Sequence, residues 1–172
     1  MSRWRPPAPK ASPYITPEGH VRLKAEFEHL WRERRPEVVK ALSAAAAEGD
    51  RSENAEYQYR KKELREIDRR LQYLTGRLDV LQVADRPPAD RARAYFGAWV
   101  SVEDEQGHAR SYRLVGADEV DATRAWISID APLARALVGR RVGEVVTVML
   151  PAGRQVLEIT AIRYDGVSDD ES

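Results

Sequence analysis

From Tyr57 onward the apolar residues recur in a rhythm that suits one long packed helix. Tyr57, Leu64, Ile67, Leu71, Leu74, Leu78 and Leu81, with Arg60 completing the series, alternate three- and four-residue steps, which is the seam of a coiled coil. A rougher stripe of the same kind precedes it, through Leu23, Phe27, Leu30, Val38, Ala41, Leu42 and Ala45. Thr16 stands where an N-cap belongs and Pro17 at the first helical position. The only break between the stripes is Gly49-Asp50-Arg51-Ser52-Glu53-Asn54. Two helices joined by so short a link are neighbours only if they run antiparallel. The sequence therefore predicts a helical hairpin of roughly 30 residues per arm, about 45 Å long at 1.5 Å per residue, with an acidic turn at its tip. Pro36 falls inside the first arm, where it removes a helix hydrogen bond; a kink is expected there, since the apolar stripe resumes beyond it. Ala44 to Ala47 lead into the tip with minimal side chains, which suits helix propensity and also suits a tip that must enter something narrow.

A chain of 172 residues holds one or two domains, and the hairpin takes about half of it. With no cysteine, disulfides and thiolate metal sites are excluded. There is no apolar signal-like segment at the start and no run approaching a membrane span, so a soluble cytoplasmic protein is expected. The zero net charge conceals an asymmetry: residues 1–86 carry 18 Lys+Arg against 14 Asp+Glu, leaving 10 against 14 for residues 87–172. The basic half is the hairpin half.

Residues 1–13, rich in proline, read as a disordered leader. Residues 14–86 form the hairpin with its tip at 49–54, and residues 87–94, around Arg86-Pro87-Pro88, a linker. Beyond it the period changes from helix to strand. Residues 98–103 and 111–115 flank a turn at Asp104-Glu105-Gln106-Gly107, and further strands are expected at 126–129, 144–150 and 156–162. Pro132 to Gly139 read as one short helix with proline early and glycine at its end. The fold class is α+β: a helical hairpin, then a small sheet domain over 95–164 with one helix, then an acidic tail at 165–172.

Asp50 and Glu53 are the residues on which function turns. Two carboxylates on a turn facing away from the hairpin's own seam suit Mg²⁺, which takes one or two protein carboxylates and completes its shell with water and phosphate. Two alone bind it weakly, so a partner must complete the site. The same spacing is also a capping box, with Asp50 as N-cap and Glu53 reaching back, and acids are favoured at a helix N-terminus. Ser52 could cap equally well. Behind the tip, Lys61, Arg65 and Arg69 share one helix face, with Arg60 and Lys62 beside them, Arg51 on the turn, and Arg34, Arg35 and Lys40 on the other arm. Such a face is either solvated surface or a guide for a phosphate backbone. Of Tyr57 and Tyr59, one belongs to the seam and the other can stack on a base or shield the helix. His20, His29 and His108 show no metal spacing, and there is no nucleophile-and-base set or glycine-rich phosphate loop.

The tip and following helix, GDRSENAEYQY over 49–59, resemble the signature of the bacterial Gre transcript-cleavage factors. The run KKELREIDRRLQY over 61–73, the segments Leu30-Trp31-Arg32-Glu33 and Arg35-Pro36-Glu37-Val38, and Phe96-Gly97-Ala98-Trp99-Val100 are similar to the GreB branch of that family. The resemblance covers residues 14–164. It implies a coiled-coil hairpin and an FKBP-like C-terminal domain that docks on bacterial RNA polymerase at the rim of the secondary channel. The hairpin then reaches the active centre, where the tip acids help hold a second, weakly bound Mg²⁺ shared with the polymerase and activate the water that cuts the 3′ end of backtracked nascent RNA. Carried over by position, Asp50 and Glu53 are the catalytic and metal residues. Arg60, Lys61, Lys62 and Arg65 match the patch that contacts RNA, and Asp130 and Pro132 match the polymerase-docking loop. From the residues alone, that loop reads as a proline-started helix with an Asp N-cap. The resemblance implies a monomer that works only in complex, donating acids to the polymerase's own activity. The competing classes are a non-cleaving regulator in the same channel and a coiled-coil adaptor whose tip acids are caps.

Overall fold

In the computed structural model, which describes residues 10–49 and 54–165, the two apolar stripes become antiparallel helical arms. The chain divides into two units: His20–Leu81, and the flanking segments up to Gly19 and from Gln82 onward. The first arm is α1 (Pro17–His29), a π-helical turn (Leu30–Arg34) and α2 (Arg35–Ala46); the second is α3 (Ala55–Val80). The π turn answers to Pro36. Proline has no N–H to donate, and its ring crowds the carbonyl four residues back. The Arg35 N–H bonds the Leu30 carbonyl, five residues back, so the ladder widens just ahead of the proline instead of ending.

Within the hairpin, Val38, Ile67 and Leu71 are buried against one another, with Phe27, Leu30 and Leu64 packed around them. Burying such a side chain stabilises by about 1.5–3 kcal/mol. Ion pairs lash the arms along the flanks of this seam: Arg35 Nε to Asp68 at 2.7 Å, the Arg70 fork on Glu26 at 2.6 and 2.9 Å, and Arg34 on Glu63.

The sheet unit holds a curled five-stranded sheet. Its strands are β3 (Trp99–Asp104), β4 (Ala109–Val115), β5 (Trp126–Ser128), β6 (Val145–Leu150) and β7 (Gly153–Arg163), in the order β5-β4-β3-β7-β6. All pairs are antiparallel except β4 with β5, and a register shift between Ser101 and Val102 marks a bulge where β3 meets β7. A bulge adds twist and bends the sheet. Val100, Val102, Leu114, Val146, Val148, Leu157 and Ile159 line the inner face, and α4 (Pro132–Leu137) covers them with Leu133, Ala134 and Leu137. In a row across four adjacent strands lie Trp126, Arg113, Trp99 and Arg163, paired in register. The Arg113 guanidinium sits 4.7 Å from the Trp126 ring and that of Arg163 4.9 Å from Trp99, so each cation covers an aromatic face.

A short parallel pair, β1 (Tyr14–Ile15) with β2 (Gln82–Val83), belongs to this unit and had no signal in the sequence. A buried carboxylate ties it down: Glu119 accepts from the Thr16 N–H at 3.0 Å, the Gly116 N–H at 2.8 Å and the Thr16 hydroxyl. Thr16 caps α1 as expected, its hydroxyl oxygen accepting from the Gly19 N–H at 3.0 Å. A Cβ at Gly19 would overlap the Glu119 carboxylate. Among the described residues, no helix is long and apolar enough to cross a membrane.

Candidate functional site

Asp50 and Glu53 lie outside the described residues, but the helix ends that bracket them are defined. The α2 helix closes at Ala47, whose N–H reaches the carbonyls of Ser43 and Ala44, and Gly49 follows with φ 133. Across the tip, α3 starts at Ala55 with Asn54 as its N-cap. The Asn54 Oδ1 accepts from the Tyr57 N–H at 3.0 Å, while its Nδ2 donates to the Ala45 carbonyl at 2.7 Å. One side chain thus satisfies an orphan N–H of α3 and reaches a carbonyl in the last turn of α2. The capping-box reading of Asp50 and Glu53 is thereby corrected, because the cap position of α3 belongs to Asn54. Sequence reasoning passed over this residue, although asparagine is among the best N-caps and directly precedes the helical run.

The cations behind the tip fall into two groups. Arg60 lies in the seam series and is engaged within the hairpin: its Nε donates to Glu56 at 2.8 Å and its Nη1 to Glu63 at 3.0 Å. The Glu56 hydrogen bond, then that of Glu63, raises its pKa above the ordinary value. Glu63 also receives Arg34, so one carboxylate joins the arms. Lys61, Lys62 and Arg65 are exposed on α3, and Lys61 Nζ lies 6.0 Å from the centre of the Tyr57 ring. The two tyrosines also separate: Tyr57 is half-buried on the seam side, and Tyr59 is 60 % exposed, with the Arg60 guanidinium 5.5 Å from its ring.

The other predicted site, Asp130 with Pro132, lies between β5 and α4. Its backbone is fixed by three bonds: Ile129 N–H to the Val115 carbonyl at 2.7 Å, Ala131 N–H to the Ser128 carbonyl at 2.9 Å, and Asp130 N–H to the Ser128 hydroxyl at 3.1 Å. Asp130 was expected to cap α4. The cap is instead Ala131, which makes no side-chain bond; Asp130 falls one residue too early, and its Oδ2 accepts from the Ser12 N–H at 2.8 Å. Pro132 is exposed at the first helical position, where its missing N–H costs nothing.

The helical hairpin and the curled sheet unit, with its fixed loop before α4, each match a family model of transcription elongation factors. The model of the N-terminal domain of GreA/GreB transcription elongation factors matches residues 13–83, and that of their C-terminal domain residues 89–164. The chain belongs to the GreA/GreB family. It is 59 % identical over 165 residues to transcription elongation factor GreB of Xanthomonas axonopodis pv. citri, covering 95 % of this chain and 98 % of that one. With GreB of Pseudomonas aeruginosa it shares 55 % identity over 164 residues, again 95 % and 98 % of the two chains. Among solved structures, GreA factor homolog 1 of Thermus thermophilus is 27 % identical, covers 87 % of this chain and 97 % of its own, and has a TM-score of 0.40.

Proposed function

We propose that this GreB-type elongation factor binds bacterial RNA polymerase in the cytoplasm as a monomer and inserts its hairpin into the secondary channel. There it stimulates cleavage of the 3′ end of backtracked nascent RNA and rescues arrested complexes. The observation that carries the reading is Asn54. With the α3 cap filled by that side chain, an acid at 50 and another at 53 are not needed to start the helix. Their hard oxygens fit Mg²⁺, which accepts one or two protein carboxylates and takes its remaining ligands from elsewhere. Held jointly by Asp50, Glu53 and the polymerase, the ion would supply charge neutralisation at the scissile phosphate.

This chain's own contribution is positional and electrostatic. The Asn54 bridge and the Glu63 pairs stiffen the helix ends on either side of Asp50 and Glu53. One of the two carboxylates orients the attacking water and takes its proton. Lys61, Lys62 and Arg65 attract the extruded RNA backbone, with Arg60 contributing from within its ion pairs. Asp130 and Pro132 present the docking loop to the polymerase.

The test is RNA release from a stalled, backtracked bacterial elongation complex in Mg²⁺, with and without the protein. Faster release supports the reading, and reversing charge at Lys61 and Arg65 should slow release most for long backtracks. Binding without release would leave a non-cleaving regulator of the channel.

A further inference from the structure

The docking loop is not bare. The Asp130 Oδ2 accepts from the Ser12 N–H at 2.8 Å across 118 residues of chain, and both residues are half-buried. The bond is not incidental to a drifting terminus. One residue further on, the Pro13 carbonyl accepts from the Gln82 N–H at 2.7 Å; Tyr14 and Ile15 pair with β2, and Ile15 and Thr16 are buried. Residues 12–16 therefore form a strap fastened at both ends, to Asp130 at one and to Glu119 at the other. The loop itself is braced by its bonds to Val115 and Ser128, so its carboxylate is held in place.

We infer that the strap is an internal competitor for the docking loop: the Ser12 N–H takes one acceptor position on the Asp130 Oδ2, and a polymerase donor aimed at that position has to displace it. The inference rests on the proposed docking role of Asp130. An N–H bond on Oδ2 must be broken before the same lone pair can serve a partner, and the net gain on docking is smaller by that amount. The strap thus sets a ceiling on affinity, in keeping with a factor that must leave the channel after each rescue.

The experiment is competition binding of the full-length protein to a polymerase elongation complex. Three variants are compared with wild type: Ser12→Pro, which removes the N–H together with the hydroxyl and fixes φ, a deletion of residues 2–12, and Ser12→Ala, which removes the hydroxyl and keeps the N–H. Binding should tighten about three- to tenfold in the first two and stay at the wild-type level in the third. In an Asp130→Asn background the gain should shrink or vanish. Unchanged or weaker binding by both Ser12→Pro and the deletion overturns the inference; weaker binding would make the strap part of the docking surface. Asp130→Asn alone separates the two levels of the argument. If it leaves affinity unchanged, the docking role fails. If it weakens binding while the strap variants do nothing, the docking role stands and the competition fails. Hydrogen exchange at the Ser12 amide, slow in wild type and fast in Asp130→Asn, reports the contact independently of any polymerase.

Discussion

The hairpin seam around Val38, Ile67 and Leu71 is narrow, with charged pairs such as Arg35 to Asp68 and Arg70 to Glu26 closing its flanks. The sheet unit instead encloses a cluster of twelve buried residues, from Ala94 to Ile159, under α4. A coiled coil has no interior beyond its seam, so its partly exposed side chains share the load with surface ions. The curled sheet has an interior and fills it. The difference follows the proposed work: a slim arm must fit a channel, while the docking body can be any shape that keeps one loop rigid.

That contrast can be broken by truncation. Leu137→Ala in the sheet core, where the leucine is fully buried, should cost about 3–5 kcal/mol. Leu71→Ala in the seam, 6 % exposed and bordered by solvent, should cost nearer 2 kcal/mol, because a seam can close on itself more easily. Chemical denaturation of each variant measures both, and equal losses would erase the distinction. Next in size is Asn54→Ala, expected to cost about 1 kcal/mol as a lost N-cap and to speed hydrogen exchange in the first turn of α3. Unaltered exchange there would deny Asn54 its bridging role.

The smallest effect is that of acid. Asp104, Asp121 and Glu144 all lie in the sheet unit, with pKa values below the ordinary 3.8, 3.8 and 4.5. The leading causes are the His108 N–H on Asp104, the Thr123 hydroxyl on Asp121 and the Arg141 N–H on Glu144. A depressed folded-state pKa contributes stability that is present above the unfolded-state value and is lost as pH falls through the folded one. Lowering the pH below about 4 should therefore weaken the sheet unit slightly, read as faster exchange of β4 and β6 amides. No change down to pH 3 would count against these carboxylates as local anchors.

Much of this was legible beforehand, because periodicity is a local signal. The seam from Tyr57 to Leu81 showed in its steps, and Arg60 belonged to it by spacing although it is charged. Its partners Glu56 and Glu63, four and three residues away, explain how a cation lives there. The pairs Val100 with Val102, Val146 with Val148 and Leu157 with Ile159 declared strands by alternation. What stayed hidden depends on residues far apart in sequence. A two-residue strand such as β1 has no period. Glu119, in a loop beside Asp118, reads as solvated until Thr16, 103 residues away, is found on it. Asp130 looked like a local helix cap because its partner Ser12 is 118 residues distant. At the tip the ambiguity was local, with Asp50 and Ser52 each able to cap the helix, and the geometry gives the cap to a third residue, Asn54.

The central claim is that the tip acids do chemistry while Asn54 does structure. It is tested most directly by measuring RNA release from a backtracked elongation complex, alongside polymerase affinity, for Asp50→Asn, Glu53→Gln and Asn54→Ala. The account predicts that each acid variant loses cleavage by roughly a hundredfold or more with affinity nearly unchanged. Asn54→Ala should keep much of its cleavage while losing helix stability. Full cleavage by the two acid variants combined would contradict the account and return Asp50 and Glu53 to a merely structural role.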